Sequence, residues 1–326
     1  MTTVWRVPAA IAVTAAFLTT VNQARAQQWP TRPVTVIVPF AAGGNTDVAA
    51  RIFTERLSQR LGQQFVVENK TGAGGSLGIA AMAKAAPDGY TIGMVTAGTL
   101  FILPHIYKDK LGYDGRKDIR PIAMVGTQPN LLIVHSKIPA NNVPEFLAYL
   151  KANADKLSYG SSGIGTSQHL CMELIAQHTG TNPTHVPYRA SNQIIQDLLG
   201  GQIQMTCDQF STAYPQVKAG NAKAIAVSSP ERYGFDPSIP ALAELIPGLD
   251  VTWSAVFITP SNVPEALRNK LASELIEIAK EPVTIERLKT LSVTPASLSG
   301  AELEKSVLAD FDKWKPIVER AKIPPP

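Results

Sequence analysis

Cysteine is nearly absent from this chain: Cys171 and Cys207 are the only two in 326 residues. That excludes a disulfide-dense scaffold and leaves two states open, one bridge or a pair of buried free thiols. Cys171 sits on a helix beside Leu170 and Leu174, and Cys207 shares the core-facing side of a strand with Met205. If that helix packs over that strand, the two come within bridging reach. Histidine is equally sparse. His105, His135, His169, His178 and His185 have no metal-ligand spacing, so no metal and no cofactor are expected. Past the N-terminus no apolar run approaches the roughly 20 residues a membrane helix needs.

The first residues carry one basic side chain, Arg6, then a weakly polar run from Val7 to Val21, then the small-residue pattern Ala24-Arg25-Ala26. This pattern predicts a secretory signal peptide over residues 1–26, cleaved before Gln27. Without Arg6 and Arg25 the chain keeps 28 basic residues against 26 acidic ones. So small and dispersed a surplus argues against a nucleic-acid partner. The remainder is long enough for two lobes, each with its own core, and a monomer is expected.

What the sequence does have is a plan used twice. Strand-like VTVIVPF runs into the glycine-rich turn AAGGNTD and an amphipathic helix ending at Gly62; about 120 residues later, LSYGS runs into SGIGTSQ and a helix ending at Gly180. Each unit continues with a short strand (FVVEN, THVPY), a helix and a further strand (TIGMV, IQMTC). The first helix places Ala49, Phe53, Leu57 and Leu61 on one stripe, and Asp47 in its first turn suits the helix dipole. Two αβ lobes would thus each present a helix N-terminus behind a glycine-rich loop. Unpaired N–H groups and a partial positive charge make such a terminus suited to an anion. Two of them across a cleft would clamp a small anion, through the backbone of Gly43 and Gly44 and the hydroxyls of Thr46, Ser162, Thr166 and Ser167.

Two apolar strands, Asn130 to His135 and Val251 to Thr259, lie between the lobes and read as hinge crossovers. They divide the chain into residues 27–129 with 250–326 as one discontinuous lobe and 130–249 as the other. Capping boxes are expected at Asn142, Asn262 and Ser299, each with Glu three residues on. The closing helix, with Leu303, Val307, Phe311, Trp314 and Val318, should dock on the first lobe.

Several motifs admit a second reading. Gly74-Gly75-Ser76-Leu77-Gly78 spells the nucleophile elbow of a serine hydrolase, but no histidine has a context that completes a triad. An exported serine hydrolase using Ser76 is the alternative function. The same loop mimics a dinucleotide fingerprint, except that its third glycine is misplaced and the following strand lacks the acidic residue for a ribose. The plainer reading is a tight turn at the cleft rim. His169, one turn into its helix, reads as a partly exposed surface residue. Asp208 ends a strand at the edge where αβ proteins bind ligands, and reads as a ligand contact, a water holder or a loop cap.

The segments WPTRPVTVIVPFAAGGNTDVAAR, ENKTGAGGSLGIAAMAKAAPDGYT, YGSSGIGTSQHL, HVPYR and DLLGGQIQMTCDQ, in this order, resemble the Bug family of tripartite tricarboxylate transporter substrate-binding proteins. The resemblance runs over essentially the whole chain after residue 26. It implies a periplasmic binding protein type II-like α/β fold, hinge closure on a small carboxylate, and delivery to membrane transporter subunits or a sensor. Carried over, it implies first-lobe contacts at Phe40, Ala41, Gly44 and Asp47, and second-lobe contacts at Ser162, Gly165, Thr166 and Asp208. One departure is Ala190, where the family's VPY-basic run is usually followed by glycine.

Overall fold

The computed structural model describes residue 2 and residues 29–321, so the expected signal peptide and its cleavage point lie outside the described residues. In chain order the first elements are β1 (Val34–Val38), α1 (Asn45–Leu61), β2 (Phe65–Asn69), α2 (Ser76–Ala83), β3 (Thr91–Thr96), α3 (Ala97–Tyr107) and β4 (Ile119–His135). The middle of the chain forms α4 (Val143–Asn153), β5 (Ser158–Ser161), α5 (Ser167–Thr179), β6 (Thr184–Pro187), α6 (Ser191–Leu199), β7 (Met205–Gln209), α7 (Phe210–Lys218) and β8 (Ala222–Val227). It closes with β9 (Thr252–Pro260), α8 (Glu265–Lys280), α9 (Pro282–Thr290), β10 (Thr294–Ser299) and α10 (Gly300–Ala321).

The duplicated plan gives two parallel cores. β1 lies between β2 and β3, all parallel, and β5 lies between β6 and β7, again parallel. Parallel strands covered on both faces need apolar side chains in both directions, which is why Val34, Val36 and Val38 are fully buried on one face of β1 and Ile37 is buried on the other. α1 ends at Gly62 (φ 71°) and α5 at Gly180 (φ 67°), left-handed positions that glycine adopts without a Cβ penalty.

One strand joins the halves. β4 pairs antiparallel with β9 from Ile119 to Pro129 and then with β7 from Asn130 to Val134. The crossover expected to start at Asn130 therefore starts eleven residues earlier, and Asn130 is where the strand changes partners. Pro121 and Pro129 obscure this in the sequence, since proline cannot donate to a ladder; irregular pairing near Pro121 accommodates it.

The core follows the same division, with one part shared. Phe53 and Phe257 meet edge-on at 5.8 Å in the first half, and Phe210 anchors a cluster in the second. The shared part brings α3 and α10 against α5 and the end of β4. α10 does dock on the first half, where its Phe311 ring lies 4.2 Å from His105. It then runs on to the second half, where Gln177 Nε2 donates to Ile317 O at 3.1 Å. Asn142 caps α4 by accepting the Glu145 N–H at 2.9 Å. Asn262 caps nothing: α8 starts at Glu265 directly after the extended Pro264, which takes the capping position itself.

Candidate functional site

The two glycine-rich loops arrive at one cleft of about 800 Å³ between the halves. In the first loop, Gly44 precedes α1 with extended backbone and no side chain caps the helix. The leading N–H groups of α1 therefore face the cleft without a side-chain partner, beside Phe40, Ala41, Gly43 and Gly44, which line it. Asp47 does not line the cleft. Its carboxylate accepts the Gly43 N–H at 2.9 Å, Asn69 Nδ2 at 2.9 Å, and both Nε and an Nη of Arg51 at 3.0 and 2.9 Å. Asn69 also donates to Phe40 O at 3.0 Å. Burial raises the Asp47 pKa, but Arg51, the Gly43 N–H and Asn69 outweigh it and hold the carboxyl below its usual range. Asp47 is thus a brace for the loop, and it consumes the Gly43 N–H that the sequence had offered to a ligand.

The second loop is braced mainly by uncharged groups. Thr166 caps α5 by accepting the His169 N–H, and its own proton goes to Gly163 O at 2.8 Å. Ser162 and Thr166 line the cleft, but the Thr166 hydroxyl is committed within the loop. Gly165 does not line it: a Cβ there would lie 2.7 Å from a Leu103 methyl, in a left-handed conformation at φ 82°. Asp208 is fully buried behind the wall. Its Oδ1 accepts from Gln168 Nε2, from Ser191 Oγ at 2.9 Å and from the Gln209 N–H at 2.6 Å, while Oδ2 has no partner. Desolvation lifts its pKa to about 6, against the pull of those donors. Gln168 and Ser191, rather than Asp208, reach the cleft, and Gln168 Oε1 accepts the Ser162 N–H at 2.6 Å.

Three features escaped the sequence. Asn45, the first residue of α1, has its Nδ2 2.8 Å from Gln128 Oε1 and 2.8 Å from Ser211 Oγ. α1, the β4 crossover and α7 thus meet in a single polar junction at one end of the cleft. Trp253 of β9 is 2% exposed, lines the cleft floor and leaves its indole N–H without a partner. His169, expected near the surface, is 3% exposed, because the first turn of α5 presses onto β5 and β6 and stacks its ring with Tyr159 and His185. Among the described lining residues Arg189 is the one charged side chain.

The third glycine loop forms the rim on the first-half side. Gly72, Ala73, Gly74 and Gly75 have four successive positive φ values, and a Cβ on Gly74 would meet Ile164 O of the second loop at 2.7 Å. Ser76 follows as the first residue of α2, is 4% exposed and does not line the cleft. Three histidine rings pack elsewhere, His105 against Phe311 and His169 against His185. The nucleophile-elbow spelling is thus a tight turn. Cys171 and Cys207 form a disulfide, with Cα atoms 6.2 Å apart, which ties α5 to β7. No helix among the described residues is long and apolar enough to cross a membrane.

A cleft between two αβ halves, joined by crossing strands and walled by helix N-termini, defines a solute-binding protein of the periplasmic binding class. The chain belongs to the tripartite tricarboxylate transporter family of receptors, whose model matches residues 49–323. It is 35% identical to the periplasmic binding protein BugD, over 91% of this chain and 99% of that one, with a TM-score of 0.82. A Rhodopseudomonas palustris protein solved with adipate, Rpa4515, is 30% identical over 91% of this chain and all of its own, at a TM-score of 0.84. MatC from the same organism, solved with bound malate, is 30% identical over 89% and 99% of the two chains, at 0.80.

Proposed function

We propose that this chain is a periplasmic receptor that captures a small organic carboxylate and presents it to membrane transporter subunits. The observation that carries the reading is the electrostatic make-up of the cleft. The uncapped α1 terminus opens into it, the α5 terminus stands opposite, and Arg189 is the one charged lining side chain among the described residues. Helix termini and amide N–H groups stabilise an anion without a buried countercharge. The adipate- and malate-bound relatives support a carboxylate of this size class.

Residues 27–129 with 250–326 form one lobe of this reading and 130–249 the other, closing about β4 and β9. Ligand contacts are assigned to the backbone about Phe40, Ala41 and Gly44, to Ser162 and to Thr166, with Asp47, Gly165 and Asp208 acting through the loops they hold. The chain works as a monomeric binding protein, not an enzyme, and is exported by the segment before Gln27. A thermal-shift screen of dicarboxylates, tricarboxylates, acidic amino acids and aromatic carboxylates tests it. Ligand at 100 times its dissociation constant adds about 2.7 kcal/mol. A screen in which no carboxylate raises the melting temperature overturns the reading.

A further inference from the structure

Behind the second loop, out of the cleft, lies a closed cluster of titratable side chains. The rings of His169 and His185 stand 4.3 Å apart, and Tyr159 stacks on His185 at 4.9 Å. The Tyr159 hydroxyl donates to Glu173 at 2.5 Å, and the Glu173 carboxylate lies 3.8 Å from His169 Nε2. Two links tie this cluster to the loop. The Gly165 N–H donates to His169 Nδ1 at 3.4 Å. Ser161 Oγ accepts the Gly163 N–H at 3.1 Å and has one proton to give, either to His185 Nε2 at 2.6 Å, which needs a neutral ring, or to Gly163 O at 3.2 Å. Each glycine amide of the SGIG turn is thus held, directly or through one hydroxyl, by an imidazole.

We propose that His169 and His185 are positioning residues for ligand capture: as neutral rings they hold the second loop in its binding shape, and acid protonation releases it. This rests on the carboxylate-receptor reading above. The chemistry is specific about protonation. An Nδ1 that accepts from Gly165 requires a neutral ring with its proton on Nε2. A second proton on His169 would set an N–H against the Gly165 N–H, and protonating both rings would place two cations 4.3 Å apart, one buried and one part-buried.

The surroundings agree. Burial, with His185 adding to it, holds the His169 pKa down at about 3, and burial holds His185 at about 4. Facing them, β5 supplies Tyr159 and α5 supplies Glu173. Burial pushes both of those groups up, so Tyr159 stays a donor and Glu173 is a weak counter-ion in acid. α3 presents Leu103 and Ile106 beside Gly165, and β7 presents the bridged Cys207, none of which titrates. α10 meets α5 two turns further on, through Gln177 and the Ile317 carbonyl. Both histidine pKa values are depressed, so the hold is complete above the ordinary value of 6.5 and is lost in acid as pH falls through about 4 at His185 and about 3 at His169.

Two measurements decide this, one of them without ligand. In ¹⁵N NMR of the mature protein, His169 is expected as the neutral Nε2–H tautomer at pH 5. The Gly163 amide signal should move with His185, with a midpoint near pH 4, and the Gly165 amide signal with His169, near pH 3. Imidazoles that titrate near pH 6.5, or glycine amides indifferent to their titration, overturn the proposal. Calorimetry with malate and adipate at pH 7.5, 5.5 and 4 then compares variants with wild type, so that protonation of the ligand cancels. His169→Leu should bind about tenfold more weakly at pH 7.5, with the gap narrowing to about fivefold at pH 4, where His185 is half protonated and His169 is still largely neutral. His169→Asn, whose Oδ1 can stand in for Nδ1, should bind within about threefold of wild type at pH 7.5 and at pH 4 alike, since His169 itself is still largely neutral at pH 4. A gap that is constant with pH in both variants marks a merely structural role and overturns the proposal. If the variants do not fold, the wild-type NMR titration decides. If wild type binds neither acid, the carboxylate that the thermal-shift screen selects takes their place; if none binds, the receptor reading is what fails, and the NMR arm still tests the loop hold.

Discussion

The two glycine-rich loops share a strand-turn-helix plan and are opposites in how they are held. The first is braced by charge: an ionised Asp47 gathers Arg51, Asn69 and the Gly43 N–H, and the helix behind it has no side-chain cap. The second is braced mainly by uncharged groups, Thr166, Gln168, Ser191 and two imidazoles, around one buried acid, Asp208, with a disulfide fixing its helix to β7. A shared backbone plan therefore does not dictate shared chemistry. The glycines fix the path of the chain, while the residues behind them set how each loop answers to pH, salt and redox conditions. The first loop leaves its helix terminus open to an anion. The second commits most of its side chains to itself.

Breaking the strongest brace on each side tests this contrast. Replacing both Cys171 and Cys207 by serine removes a crosslink between residues 36 apart, worth about 3–4 kcal/mol by loop entropy. Denaturant unfolding should show that loss; an unchanged midpoint would mean that α5 is held by packing alone. Asp208 should give the opposite sign. Its raised pKa means that its contribution is present below pH 3.8 and lost as pH rises through about 6. Asp208→Asn keeps the Oδ1 acceptor and removes a buried charge, so it should stabilise by about 2–3 kcal/mol at pH 8 and by little at pH 4. Melting temperatures at both pH values check this, and a variant less stable than wild type at pH 8 would show that the carboxylate earns its place.

Smaller effects belong to the first loop and to the second helix cap. Asp47→Asn loses the charge-assisted bonds to Arg51, whose side chain is half exposed and rehydrates, so about 2 kcal/mol is expected rather than the larger cost of a fully buried pair. Because the folded Asp47 pKa is depressed, that stability is present above pH 3.8 and fades as pH falls through the folded value. The difference between variant and wild type should shrink in acid, and chemical denaturation at pH 7 and pH 3 reads it. Thr166→Val removes a cap and the bond to Gly163 O, at a cost of about 1 kcal/mol in stability and roughly five- to tenfold in ligand affinity. Calorimetry of that variant at pH 7.5 checks the affinity; a complete loss of binding would mean that the hydroxyl touches the ligand.

The sequence carried the repeated strand, loop and helix plan because glycine clusters and apolar runs are local signals. It offered Asp47 as an acid suited to the helix dipole and, by resemblance, a ligand contact, since an acid in a helix's first turn looks the same whether it braces a loop or faces a cleft; its pairing with Arg51 came from the structure. What stayed hidden is long-range. His169 and His185 come from different elements, Asn45 and Ser211 are 166 residues apart, and neither pair has any periodicity to announce it. The start of β4 was hidden by Pro121 and Pro129, which read as breaks in a strand that bends around them.

The central claim is that helix termini and amide N–H groups, not a salt bridge, hold the anion. Titrating malate or adipate into wild type and into Arg189→Ala by calorimetry at pH 7.5 tests it most directly. Retained binding, weakened by less than about tenfold, is the predicted result, as for an exposed charge at the rim. Abolished binding in Arg189→Ala, with the fold intact, would make Arg189 the anion's principal partner and contradict the account.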